Sequence, residues 1–202
     1  MINKLKLQSI INKYYLGANE SVKWEIKDNS LSIEFMTPSK DVIGNLTCKN
    51  FELEDSKLAI YDTKKLQNLI SICSGDLLLE FEKTREIYTK LNISDLNFNL
   101  SYALSDPLLI NKVGNVNEAD WVVFGDESGH NNKITYQISG DIKETDIKLP
   151  FNSDMFKTVL QANKDMEGGK LLLSSMGLMK LSFDFDDIST TYYMVRRAES
   201  EF

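Results

Sequence analysis

The chain has 202 residues, 42% hydrophobic and 26% charged, with a formal net charge of −7 and a pI near 4.9. No apolar run approaches the roughly eighteen residues that a membrane-spanning helix needs, and the opening Met1-Ile2-Asn3-Lys4-Leu5 lacks the apolar core of a secretory signal. An acidic total argues on its face against nucleic acid, because phosphate binding needs cations, so the placement of the lysines has to be read before that class is excluded.

The first predicted element is a helix over residues 3–15. Leu7, Ile10, Ile11 and Tyr14 recur at the spacing of one helix face, and Gly17 supplies a stop. Val22, Trp24 and Ile26 then alternate with polar residues, Asp28-Asn29 marks a turn, and Leu31, Ile33 and Phe35 alternate back, which predicts a hairpin with one buried face. Further strands are expected at 42–48, 51–53 and 58–61. A second helix over 62–73 starts at Asp62, a good N-cap, and shows Leu66, Leu69, Ile70 and Cys73 on its apolar face. Strands at 77–81, 87–91 and 96–101 follow.

Residues 104–120 carry Pro107, Gly114 and the apolar patch Leu108-Leu109-Ile110. This stretch divides the chain into a first domain, 1–103, a connection, 104–120, and a shortened second domain, 121–202. The second domain is expected to hold strands at 121–124, 134–138 and 147–151, a helix over 152–164 capped by Asn152, and closing strands at 170–174, 178–183 and 190–196. Sliding the chain on itself by ninety residues superposes Asp62 on Asn152, Leu66 on Phe156, Leu69 on Val159 and Ile70 on Leu160. A triple leucine follows each helix, Leu77-Leu78-Leu79 and Leu171-Leu172-Leu173. The halves read as copies of one unit.

Each helix pairs its apolar face with a face of lysines and amides. Lys4, Lys6 and Lys13 lie on the first helix, Lys64 and Lys65 with Asn68 and Ser71 on the second, and Lys157, Gln161 and Lys164 on the last. Acids such as Glu25, Glu34, Glu80, Asp184 and Asp187 fall in strands and turns. Helices inside and sheets outside would make a positive inner surface on an acidic protein. The seven lysines are the candidate DNA-facing residues. Arginine is confined to Arg85, Arg196 and Arg197, and neither a zinc spacing nor a helix-turn-helix is present, so sequence-specific base reading is not expected.

Catalytic readings are weaker. His130, the single histidine, sits in the turn-forming string 125–132, and its neighbour Ser128 does not form the glycine-flanked elbow of a hydrolase. Asp184, Asp186 and Asp187 alternate with Phe183 and Phe185 as a strand would, without the glycine of a calcium loop. Cys48 and Cys73 lack metal spacing and read as reduced core residues. No catalytic residue, metal or cofactor is expected.

Lys57-Leu58-Ala59-Ile60-Tyr61-Asp62 leading into a leucine-rich helix resembles the first domain of the T-even bacteriophage DNA polymerase sliding clamps. The opening amphipathic helix resembles them too, as does the close, where Gly169-Lys170-Leu171-Leu172-Leu173 precedes two strands, the last with Tyr192-Tyr193-Met194-Val195. The resemblance implies an α+β DNA-clamp fold of two similar domains with outer antiparallel sheets and inner helices. It implies a non-enzymatic processivity factor, a homotrimeric ring around duplex DNA in the cytoplasm of an infected cell. Its partners would be the replicative polymerase and an ATP-driven clamp loader, docking short peptides in an apolar groove sought at Leu108, Leu109, Ile110, Tyr193 and Val195. A phage structural or assembly protein, also acidic and β-rich, stays open as the alternative, and a small hydrolase using the acids near Asp184 is the third reading.

Overall fold

The computed structural model describes residues 1–114, 116, 149–166 and 169–196, together with the backbone of 121–123. The expected elements at 134–138 and the start of 147–151, and the His130 loop, lie outside the described residues.

A two-residue strand β1 (Ile2–Asn3) leads into α1 (Lys4–Tyr15). Asn3 caps the helix: its side-chain oxygen accepts from the amides of Leu5 at 3.0 Å and Lys6 at 3.2 Å. Leu16 and Gly17 end it in the left-handed region, with φ of 46° and 75°; the glycine takes that conformation without strain. The hairpin β2 (Val22–Lys27) and β3 (Ser30–Met36) turns on Asp28 and Asn29, both at positive φ, the backbone that a tight two-residue hairpin turn requires. β4 (Val42–Cys48) and β5 (Ser56–Ile60) follow, then α2 (Thr63–Ile72) and β6 (Asp76–Thr84), β7 (Ile87–Ser94) and β8 (Asn99–Ala103). After a 3-10 turn at Pro107–Leu109 come β9 (Trp121–Val123), α3 (Ser153–Ala162), β10 (Lys170–Ser174), β11 (Leu178–Phe185) and β12 (Ile188–Val195).

Two antiparallel sheets result. One has the order β1-β6-β7-β8. The other has eight strands, β5-β2-β3-β4-β12-β11-β10-β9, and so contains strands from both halves of the chain. The halves meet where β4 pairs β12, from Cys48 opposite Ile188 to Val42 opposite Met194. Alternation along the strands buries one face of this sheet, with Val22, Trp24 and Ile26 inside and Lys23, Glu25 and Lys27 outside. α1 packs against β4 on the sheet and against α2 and α3 at its sides. One contiguous core joins both sheets and α1, α2 and α3.

The repeat is visible in three dimensions. α2 and α3 begin ninety residues apart. Their caps Asp62 and Asn152 each accept from the third helical amide, Lys65 at 2.8 Å and Met155 at 3.2 Å. β1 lines β6 as β9 lines β10, so β1-β6-β7-β8 and β9-β10-β11-β12 have the same strand order. Each last strand carries a buried tyrosine ninety residues from its counterpart. The Tyr102 hydroxyl exchanges hydrogen bonds with the Asp62 backbone at the start of α2, and the Tyr192 hydroxyl accepts from Asn163 at the end of α3.

Two expectations need correction. Residues 51–53 form no strand: Phe51 folds inward and packs edge-on against Trp24, ring centroids 6.4 Å apart, while its amide donates to the Asn29 carbonyl. β8 begins at Asn99 rather than at 96, because the Asp95 carboxylate accepts from the amides of Asn97 and Phe98 and closes a turn first.

Candidate nucleic-acid interface

The three helices form one layer, with α1 between α2 and α3. The acids predicted for the strands stand on the opposite side or in turns: Glu25, Glu34, Glu80 and Asp184 are exposed. Exposed lysines also stand on the strands, Lys27 and Lys57 among them, so the sheets carry both signs of charge.

Four of the seven candidate lysines project into solvent from this layer. Lys64 and Lys65 stand in the first turn of α2, and Lys157 and Lys164 lie on α3 and just beyond its end; all four are exposed. Asn68, Ser71 and Gln161 continue the same polar faces and are exposed as well. The spacing of such cations along a layer suits loose contact with phosphates rather than base recognition.

The three lysines of α1 are engaged inside the protein, which sequence reasoning missed. Lys4 Nζ donates to the Ser71 carbonyl at 3.0 Å and to the Cys73 carbonyl, so it caps the C-terminus of α2. Lys6 pairs with Asp187 in the β11–β12 turn at 3.0 Å, and Asn50 donates to the same carboxylate at 2.7 Å. Lys13 corrects the expectation most sharply. Its side chain is fully buried, and its ammonium reaches Asp165 at 2.6 Å, Ser9 at 2.7 Å and the Ala162 carbonyl at 3.3 Å. Lys13 is thus no surface cation. Burial pulls its ammonium below the usual lysine range, and Asp165 offsets that only in part. Burial also works against the Asp165 carboxylate, but hydrogen bonds from Lys13 and Ser9 outweigh it and hold that group below its ordinary value. With its lysines occupied, α1 turns a neutral stripe to solvent: Leu5 and Asn12 are exposed, and Asn12 accepts from Gln67 of α2 at 2.8 Å.

The expected partner groove is divided. Leu109 and Ile110 line a cleft of about 420 Å³ with Glu34–Lys40 and residues 18–21. Tyr193 lines an adjoining hollow of about 210 Å³ with Ile43, Asn45, Val113 and Val116; Glu34 and Val113 belong to both. Leu108, which is 89% exposed, borders a third cleft of about 640 Å³ with Ile87 and Tyr88. Val195 is half-exposed at the end of β12 and lines none of the three. The connection after β8 therefore crosses the outward face of the large sheet, and the apolar residues of 107–116 divide between three hollows along its path.

Among the described residues, no three histidines, cysteines or acids gather as a metal site, and no helix is long and apolar enough to cross a membrane. Cys48 and Cys73 are buried free thiols.

No protein-family model matches the sequence, and no curated protein matches it. Solved structures do match in shape. The chain is similar to the A. fulgidus PCNA bound to the C-terminal region of FEN-1, with a TM-score of 0.73 at 15% identity over 99% of this chain and 98% of that one. It is similar to the proliferating cellular nuclear antigen of Entamoeba histolytica, with a TM-score of 0.72 at 12% identity over 97% and 96%. It is similar to the PCNA of Thermococcus kodakaraensis, with a TM-score of 0.71 at 11% identity over 96% and 97%. Agreement of this extent at such low identity is agreement of backbone architecture: the chain has the DNA-clamp fold of the PCNA proteins.

Proposed function

We propose that this chain is the subunit of a sliding clamp, a ring of like subunits that encircles duplex DNA and tethers a replicative polymerase. The observation that carries the reading is a pair of equivalent strand edges. β12 closes its module by pairing β4 of the same chain, whereas β8, its counterpart, has β7 on one side and, among the described residues, no strand on the other. A strand from a second copy would occupy that edge as β4 occupies β12. Such a contact is head-to-tail, and it closes into a ring when its rotation divides a full turn. The layer of helices would then line the hole, with Lys64, Lys65, Lys157 and Lys164 toward the phosphates, and the outer faces of the sheets would form the rim. A closed ring stays on DNA by topology, so an acidic protein needs only weak contacts.

Three copies, encoded by a bacteriophage and working in the infected cell's cytoplasm, are the arrangement that the resemblance to T-even clamps supports. The A. fulgidus protein binds the C-terminal region of FEN-1. By analogy, polymerase and clamp loader would each place a short peptide in the adjoining hollows lined by Leu109, Ile110, Val113 and Tyr193. The function is that of a scaffold, and no chemical step is assigned to the chain.

Native mass tests the reading. Three copies of the 23.1 kDa chain give about 69 kDa by light scattering at high concentration, falling on dilution as the ring dissociates. A mass that stays at one copy at every concentration, with and without duplex DNA, would reject it.

A further inference from the structure

Helix α1 makes its polar contacts in an unusual direction. Two of its lysines, seven residues apart and so on one side of the helix, each reach across to an acid of the second half of the chain. Lys6 meets Asp187 beyond β11, and Lys13 meets Asp165 beyond α3. Between them, the Tyr192 hydroxyl of β12 donates to the Lys13 carbonyl at 3.0 Å and accepts from Asn163, which ends α3. A fourth link lies at the other end of the seam, where Asn152, the cap of α3, donates to Asp41 at 3.0 Å. The β4–β12 ladder fixes the two halves along one line only, and a sheet is free to twist and bend about such a line. The α1 contacts stand off that line, on the helix side, where they resist bending.

We propose that α1 is a bracket, and that Lys6 and Lys13 are positioning residues that fix the angle between the two halves rather than contacts for DNA. The burial of Lys13 supports this. A fully buried ammonium that lacked Asp165 would carry a desolvation penalty, so the geometry that brings Asp165 to it is strongly preferred over a splayed one. The bracket also sets where α3 lies, and with it Lys157 and Lys164. Its meaning for DNA rests on the clamp reading: in a ring the angle within each subunit sets whether the last interface closes. The bracket itself does not depend on that reading.

The test uses the full-length chain with spin labels at N68C on α2 and Q161C on α3, both exposed, and reads the distance distribution between them. Lys13→Met keeps the volume and removes the charge. Lys6→Asp breaks the outer pair, and Lys6→Asp with Asp187→Lys rebuilds it with the charges exchanged. The expected result is a broadened distribution for Lys13→Met and for Lys6→Asp, with the width restored in the exchanged pair. The salt dependence of binding to an open-ended duplex separates bracket from DNA contact. Each lost phosphate contact lowers the slope of log affinity against log salt by about 0.9, and the bracket predicts an unchanged slope in all three variants. Lifetime of the closed ring on end-blocked DNA should fall about tenfold in the two broken variants, as loss of a charge-assisted bond does. Narrow distributions in every variant, or a slope that falls with each lysine and is not recovered by the exchange, would overturn the proposal. If the wild-type chain binds no duplex at all, the clamp reading fails, and the distance distributions alone decide the bracket.

Discussion

The module α2-β6-β7-β8 and the module α3-β10-β11-β12 share caps, strand order and a buried tyrosine on the last strand, yet they end differently. Tyr102 ties β8 back to its own helix through Asp62, and among the described residues β8 has β7 as its one neighbour strand. Tyr192 lies at a junction: it packs edge-on against Phe35 at 5.9 Å and Phe183 at 6.2 Å, and its hydroxyl joins α3 to α1. The second module is joined to the first half through β4, and among the described residues the first has no such partner strand. The same fold element thus makes an internal joint in one half, and in the proposed ring its counterpart would make the joint between subunits.

The largest test of this difference removes each tyrosine in turn. Tyr192→Ala should cost about 3–5 kcal/mol in denaturant unfolding and uncouple the halves. Tyr102→Ala should destabilise less and leave the halves joined, seen as an unchanged β4–β12 ladder in hydrogen exchange. Equal losses from the two would erase the distinction.

Gly44 probes the joint next. It lies opposite both Phe35 and Tyr192 in the ladders, and a Cβ there would stand 2.2 Å from the Phe35 ring. Gly44→Ala should cost about 1–3 kcal/mol through overpacking, confined to the seam. A neutral result would mean that Phe35 yields easily and that the joint is looser than its packing indicates.

Helix caps give a smaller contrast. Asp62→Ala and Asn152→Ala should each cost about 1 kcal/mol as caps, with Asn152 the greater because it also holds Asp41. Burial raises the Asp41 pKa, but hydrogen bonds from Ser39, Thr37 and Asn152 outweigh it and hold the carboxyl below its ordinary value of 3.8. A depressed carboxyl stabilises the folded chain above its unfolded value and loses that contribution as pH falls through the folded one. The excess cost of Asn152→Ala over Asp62→Ala should therefore be full at pH 6 and shrink below about pH 3.8. An excess that is constant with pH would separate the cap from Asp41.

The smallest effect on stability is expected where the effect on DNA is largest. Lys157→Glu with Lys164→Glu should leave the denaturation midpoint unchanged, since both side chains are solvated. It should also weaken retention on duplex DNA. Normal retention in that double variant would remove α3 from the DNA-facing surface and leave α2 alone to hold it.

The sequence by itself determined the local elements. Helix periodicity, the caps Asp62 and Asn152, the Asp28-Asn29 turn and the ninety-residue repeat were legible because each depends on residues within a few positions of one another, or on a pattern that recurs. Strand ends near Phe51 and Asp95 were less so, since an inward-turning aromatic ring and an aspartate turn compete with the strand propensity around them. Only the tertiary structure decided which lysines are free. A face of cations on α1 looked like one on α3, but Lys13 meets Asp165 from 152 positions away and Lys6 meets Asp187 from 181. Whether a flexible ammonium ends in water or on a carboxylate of the same chain depends on what the fold brings beside it, and helix periodicity carries no information about that. The same holds for the sheet edges: β8 and β12 are alike in pattern, and only the packing of the halves shows that β12 is joined to β4, while β8 has no second partner among the described residues.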